Sequence, residues 1–290
     1  MTFDIAGLGI RVDGLDILPQ QMYNLEPFFT NDDSYAKIRT ICDIKCGCTI
    51  TDVDAEPTIT NTFDGKTMCL WLAADFYRVT LRFNGSENTY SMEADNGWRT
   101  VRTDCKAGTE TDCMALEDFI MISFIYSAAY YDTVLIHASS VAVDSSAAVF
   151  IGPSGIGKST HSRLWLRYVD GSRLLNDDQP ALRIMPDGNV YVYGTPWSGK
   201  TDCYRNERAK LKAVFRMRQA GVNKAVRLDG TKAFCALLDM TSLIKSDIAS
   251  FSKISDTVAY IAGKVDICML YNRPEKEAVD VSYAVFSRRC

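Results

Sequence analysis

Gly152-Pro-Ser-Gly-Ile-Gly-Lys-Ser159 is the stretch on which the reading of this chain turns. It matches G-x4-G-K-[S/T] in full. It follows the apolar run Ala147–Ile151 and opens a segment of helical character over residues 159–168. Strand, glycine-rich loop and helix, in that order, are what a Walker A-type phosphate-binding loop (P-loop) requires. Gly152, Gly155 and Gly157 permit backbone angles that turn successive N–H groups inward. Those donors, with the N-terminus of the helix behind them, suit phosphate oxygens. Lys158 supplies a positive charge for β- and γ-phosphates, and Ser159 a hydroxyl for Mg2+. The expected nucleotide-binding set is Gly152, Ser154, Gly155, Ile156, Gly157, Lys158, Ser159 and Thr160.

Working outward, Arg173-Leu-Leu-Asn-Asp-Asp178 is a short apolar run that ends in two carboxylates. The first, Asp177, lies 19 residues after Lys158, room for one helix and a turn. Two carboxylates at a strand end beside a triphosphate meet two needs: one organises Mg2+, the other accepts the proton of an attacking hydroxyl. A solvated Asp-Asp turn is the plainer alternative. Upstream, His137 sits within the apolar stretch 134–143, which reads as one strand, 15 residues before Gly152. A lone His there is ordinarily a hydrogen-bonded core residue. Downstream, Tyr193-Gly-Thr-Pro-Trp-Ser-Gly-Lys-Thr201 reads as a structured loop. Its Trp197 is placed either to cover a ligand or to pack, and Ser198 and Lys200 either to reach an anion or to face solvent. Residues 200–227 carry nine basic and two acidic side chains, with Leu211, Ala213, Phe215 and Met217 alternating with Lys212, Arg216 and Arg218. Period two predicts a strand with one basic face, which either contributes to the anionic site or, for most of it, is only solvated.

The whole chain has 290 residues, 47% hydrophobic and 23% charged, with a net charge of −4, which excludes disorder as its main state. Two His are too few for a three-imidazole zinc site. Residues 1–130 hold 20 acidic and 10 basic side chains and residues 131–290 hold 16 and 22. A basic half in an acidic protein suits an anionic small ligand rather than a polyanion, so no nucleic-acid partner is expected. The start carries no basic-then-apolar leader pattern. The longest uncharged apolar run, residues 119–131, has 13 residues, short for a membrane span. A cytoplasmic location, no membrane association and ten reduced thiols follow as expectations. Cys42, Cys46 and Cys48 match no common zinc spacing.

Residues 1–112 read as a small, mainly β domain. Residues 113–290 read as the nucleotide-binding domain, with an apolar helix over residues 115–131 at its centre and Glu117 and Asp118 near the positive end of that helix.

Taken together, His137-Ala-Ser-Ser-Val, the strand Ala147–Ile151, the loop Gly152–Ser159 and Leu174-Leu-Asn-Asp-Asp178 resemble the HPr kinase/phosphorylase family of the phosphoenolpyruvate carboxykinase-like superfamily. The resemblance covers about residues 115–205 and looks closest to the stand-alone HPr kinase-like proteins found beside peptide-modification genes, which carry a small β domain in front. It implies an α/β nucleotide-binding core, ATP and Mg2+ held by Lys158 and Ser159, and His137 and Asp177 near the transferred phosphate. In that scheme Asp177 is the base and Asp178 the metal-linked partner. The Gly-rich signature that follows the Asp pair in HPr kinases is missing, and the loop Gly194–Lys200 stands in its place. HPr as substrate and phosphorolysis are therefore not carried over. His161 lies inside the helix after the loop, as an exposed or packed residue.

The expected activity is an ATP- and Mg2+-dependent kinase acting on a hydroxyl, with catalytic residues Asp177, His137 and Lys158 and metal-binding residues Ser159 and Asp178. The expected acceptor is a Ser in a peptide or protein. The alternatives are a nucleotide-binding regulatory protein without phosphotransfer and a small-molecule kinase. A homo-oligomeric assembly is compatible with each.

Overall fold

The computed structural model describes residues 1–15, 18–30 and 38–288, which form two compact units, Met1–Ala128 and Ala129–Cys290. The first holds strands β1 (Thr2–Ile5), β2 (Leu8–Asp13), β3 (Thr40–Lys45), β4 (Ile59–Phe63), β5 (Lys66–Leu72), β6 (Phe76–Phe83), β7 (Thr89–Asp95) and β8 (Thr100–Thr103), followed by helix α1 (Glu110–Ala128). The strands make one mixed sheet in the order β1-β2-β3-β8-β7-β6-β5-β4. Alternation builds its buried face: Tyr77, Val79, Leu81 and Phe83 of β6 and Tyr90, Met92 and Ala94 of β7 are all buried. The β6–β7 hairpin turns through Asn84-Gly85, where Gly85 has φ +79°.

Helix α1 departs from the sequence reading in two ways. It starts at Glu110, so the carboxylates in its first turn are Glu110 and Asp112 rather than Glu117 and Asp118. It also belongs to the first unit, not to the centre of the second, so the division falls after Ala128 rather than after residue 112. The reason lies in its own residues. Leu116, Phe119, Ile120 and Phe124 are fully buried in this unit, and Asp118 meets Lys66 of β5 at 2.6 Å. Burial, with Asp118 adjacent, pushes the Glu117 carboxyl up to about 7. With the turn after it, the helix over residues 110–131 is long and apolar enough to cross a membrane by length and composition, longer than the 13-residue run suggested. Of that apolar window 67% is buried in the protein, as for a core helix.

The second unit holds β9 (Thr133–Leu135), β10 (Ala138–Val143), β11 (Ser146–Ile151), α2 (Lys158–Tyr168), β12 (Ser172–Asn176), β13 (Ala181–Ile184), β14 (Val190–Tyr193), β15 (Arg208–Gln219), β16 (Lys224–Arg227), α3 (Thr231–Leu238), α4 (Ile248–Lys264), β17 (Asp266–Asn272) and α5 (Lys276–Phe286). Its mixed sheet runs β12-β10-β11-β15-β14-β13-β9, with β17 also on β15 and β16 on β17. Strands β11, β15 and β17 are mutually parallel neighbours. Both faces of β11 are covered, which explains its unbroken apolar sequence. Ala147, Val149 and Ile151 join the core under α3 and α4, while Ala148 and Phe150 join the core under α2 and α5. Strand β15 is central, and two of its arginines bind within the protein: Arg216 Nη1 meets Asp239 Oδ2 at 3.0 Å, and the Arg218 guanidinium lies over Tyr271. Lys210 is exposed and Lys212 half-buried.

Candidate functional site

The loop Gly152–Ser159 sits at the carboxyl end of β11, the edge of a parallel segment where open α/β sheets place ligands. Gly152, Gly155 and Gly157 have φ of +148°, +79° and +106°. An added Cβ would meet no atom at Gly155 or Gly157, so their cost to a side chain is conformational, and the space in front of them stays open. Helix α2 starts at Lys158, and Gly157 is its N-cap, with no side chain to occupy the first-turn N–H groups. Thr160 and Ser154 are exposed, Ser159 and Ile156 half-buried. A cavity of about 420 Å3 adjoins the loop, lined by Gly155, Ile156, Gly157, Thr160 and Leu164 on one side and by Gln219, Asn272 and Arg273, at the carboxyl ends of β15 and β17, on the other.

His137 is held by a break in the sheet that its apolar neighbours do not announce. The expected single strand over 134–143 is two: β9 pairs with β13, while β10 pairs with β11 and β12. Between them the chain changes partners. Ile136 N–H donates to the Pro180 carbonyl (3.1 Å), His137 N–H to Met240 (2.7 Å) and Ala138 N–H to Asp178 (2.9 Å). The imidazole is thereby released from the sheet face and half-buried at the mouth of the loop.

There Lys158 Nζ lies 3.0 Å from His137 Nε2, 3.0 Å from the Gly152 carbonyl and 3.5 Å from that of Pro153. An ammonium only donates, so Nε2 is the acceptor and the ring carries its proton on Nδ1. Asp178 Oδ1 is 3.4 Å from the same nitrogen. Burial first, then the Lys158 charge, pull the His137 pKa down against the pull of Asp178. Burial likewise lowers that of Lys158, opposed by Asp178 and Asp177. With the ammonium donating, the hydrogen bond at Nε2 is that of a neutral imidazole.

Asp177 and Asp178 end β12 as expected, and Asn176, fully buried, fixes their geometry. Its Oδ1 accepts the N–H groups of Asp178 and Gln179 at 2.9 Å each. Its Nδ2 donates to Thr195 Oγ1 (3.2 Å) and to the Trp197 carbonyl (3.0 Å). One side chain therefore ties the acidic turn to the Gly194–Lys200 loop. Gly194 is needed in that loop because a Cβ would strike the Arg205 carbonyl oxygen and come 2.9 Å from that of Leu175. Trp197 is 9% exposed and packed into the protein, and Ser198 Oγ donates to the Thr201 carbonyl within its own loop (2.6 Å). Lys200 is exposed. Asp177, 6% exposed, accepts a hydrogen bond from Ser139 Oγ at 2.7 Å. Ser139 was visible in the His-Ala-Ser-Ser segment but assigned no task. Asn176 looked like any polar residue at a strand end.

His161 is packed rather than exposed. It is 1% exposed, edge-on to Phe150, with Nε2 3.0 Å from Ser282 Oγ of α5. Among the described residues no cluster of three or more His, Cys, Asp or Glu could hold a metal ion.

No family model matches the chain, and no curated protein matches it. Among solved structures, it is similar to the HPr(Ser) kinase/phosphatase from Coxiella burnetii, at 13% identity and a TM-score of 0.26, over 53% of this chain and 99% of that one. At that level the geometry of the site itself, not the neighbour, must decide the chemistry.

Proposed function

We propose that this protein is an ATP- and Mg2+-dependent kinase that transfers the γ-phosphate to a hydroxyl, that of Ser in a peptide or protein. The observation that carries the reading is the convergence on one sheet end of a phosphate-binding loop, its lysine held on a neutral His137, and the Asp177–Asp178 turn. The cavity between Thr160 and Asn272 is of a size to take a nucleoside whose phosphates lie on the loop.

In this reading the loop N–H groups and Lys158 bind the β- and γ-phosphates and offset charge in the transition state. Bound Mg2+ supplies further charge neutralisation on the phosphate oxygens, held by Ser159 and Asp178. Asp177 accepts the acceptor hydroxyl's proton as its oxygen bonds to the γ-phosphorus. The bond to the β,γ-bridging oxygen breaks and ADP leaves with its electron pair. His137, as a neutral acceptor, aims the Lys158 ammonium without adding a second positive charge.

The test is γ-labelled ATP and Mg2+ with a library of Ser-containing peptides. Wild type is expected to label Ser. Lys158→Ala is expected to lose both binding and transfer, and Asp177→Asn to bind nucleotide but not transfer. Tight binding by wild type with no labelled acceptor, peptide or small molecule, would favour a regulatory nucleotide-binding protein instead.

A further inference from the structure

Three buried oxygens connect the helix of the phosphate-binding loop to the acidic turn. Ser162 stands on α2 one turn beyond Ser159, Ser139 on β10, and Asp177 at the end of β12. Ser139 and Ser162 are fully buried and Asp177 is 6% exposed. Ser139 Oγ is 2.7 Å from Asp177 Oδ1 and 2.6 Å from Ser162 Oγ. A carboxylate oxygen accepts, so the one hydrogen of Ser139 goes to Asp177. Ser139 can then only accept from Ser162. The order is fixed: Ser162 O–H to Ser139, Ser139 O–H to Asp177. In a chain of this kind each bond polarises the next.

We infer that Ser139 and Ser162 are positioning residues, a directional hydroxyl relay that locks Asp177 through Oδ1 and leaves Oδ2 to receive the acceptor's proton. The inference rests on the assignment of Asp177 as base. It adds that the aim of that base is set from the nucleotide-binding helix. Among the described residues these are the only side-chain hydrogen bonds of the two serines, and burying two hydroxyls costs stability unless they are paired. Their pairing runs towards the acidic turn rather than back into their own strand and helix.

The experiment measures γ-phosphate transfer from ATP to a Ser-containing peptide library for wild type, four serine variants and Asp177→Asn, each checked for an unchanged melting profile. A hydrogen bond to a charged group is worth about a tenfold factor or more, so Ser139→Ala is expected to lower kcat about tenfold with KM for ATP unchanged. Ser162→Ala should act in the same direction and less. Because Ser162 works through Ser139, the double variant should match Ser139→Ala alone rather than multiply the two losses. Ser139→Thr, which keeps the hydroxyl, should recover most of the rate, an outcome that a packing role would not give.

Loss of transfer in Asp177→Asn with full kcat in Ser139→Ala overturns the relay alone. So do multiplying losses in the double variant, or failure of Thr to rescue. Full transfer by Asp177→Asn overturns the assignment of the base, and the relay with it.

Discussion

Acidification is expected to withdraw stability from the second unit through a single imidazole. His161 packs against Phe150, at a ring separation of 4.7 Å, and faces Ser282. The Ser282 hydroxyl donates to the Ala278 carbonyl (3.0 Å) and accepts from Trp165 Nε1 (2.9 Å), so it accepts from His161 Nε2–H as well. The ring is neutral, Nδ1 makes no hydrogen bond, and burial alone moves its pKa from 6.5 down to about 4. The sign follows: the unfolded chain takes up the proton first, so this contribution is complete above pH 6.5 and is lost as pH falls towards 4. Each tenfold preference for the neutral ring is about 1.4 kcal/mol, so the change amounts to about 3 kcal/mol. Urea unfolding of wild type and His161→Gln, followed by Trp fluorescence from about pH 7.5 to about pH 4, isolates it, because carboxylates common to both cancel. The stability of wild type relative to the variant should fall by about 3 kcal/mol across that range. A constant difference would refute the buried, neutral imidazole and the α2–α5 packing built on it.

Other outcomes follow from the same geometry. Asn176→Asp places a carboxylate against the Thr195 and Trp197 oxygens that now accept from Nδ2, and should cost about 2–4 kcal/mol in urea unfolding. Gly194→Ala forces a methyl onto the Arg205 carbonyl and should lower stability by about 2 kcal/mol or more, read as a lower melting temperature. Mg·ATP at about a hundredfold excess over its Kd should stabilise wild type by about 2.7 kcal/mol, and Lys158→Ala far less, in the same thermal assay.

The parts legible in the sequence were those in which local chemistry and tertiary placement agree. Glycines at 152, 155 and 157, an apolar strand before and a helix after specify the loop without help from distant residues. The positions of Asp177 and Asp178 were legible because two adjacent carboxylates end an apolar run, but the burial of Asp177 was not. What escaped depended on distant partners. The run 134–143 is apolar throughout, and its break at His137 is dictated by the Pro180, Met240 and Asp178 carbonyls, far along the chain. Helix α1 is apolar on nearly all sides, so its periodicity carried no direction and could not say which unit it fills. Asn176 and Ser139 are ordinary polar residues in sequence, and only their complete burial shows that their hydrogen bonds organise the acidic turn. Trp197 left both a ligand-covering and a packed reading open, because an aromatic in a Gly-rich loop has no local cue to its burial; its loop folds inward onto Asn176.

The central claim is phosphotransfer from a loop-bound nucleotide to a hydroxyl with Asp177 as base. Parallel measurement of Mg·ATP binding and γ-label transfer to Ser peptides, by wild type, Lys158→Ala and Asp177→Asn, tests it most directly. The account predicts binding and transfer by wild type, neither by Lys158→Ala, and binding without transfer by Asp177→Asn. Absence of Mg·ATP binding by wild type, or transfer by Asp177→Asn at the wild-type rate, would contradict it.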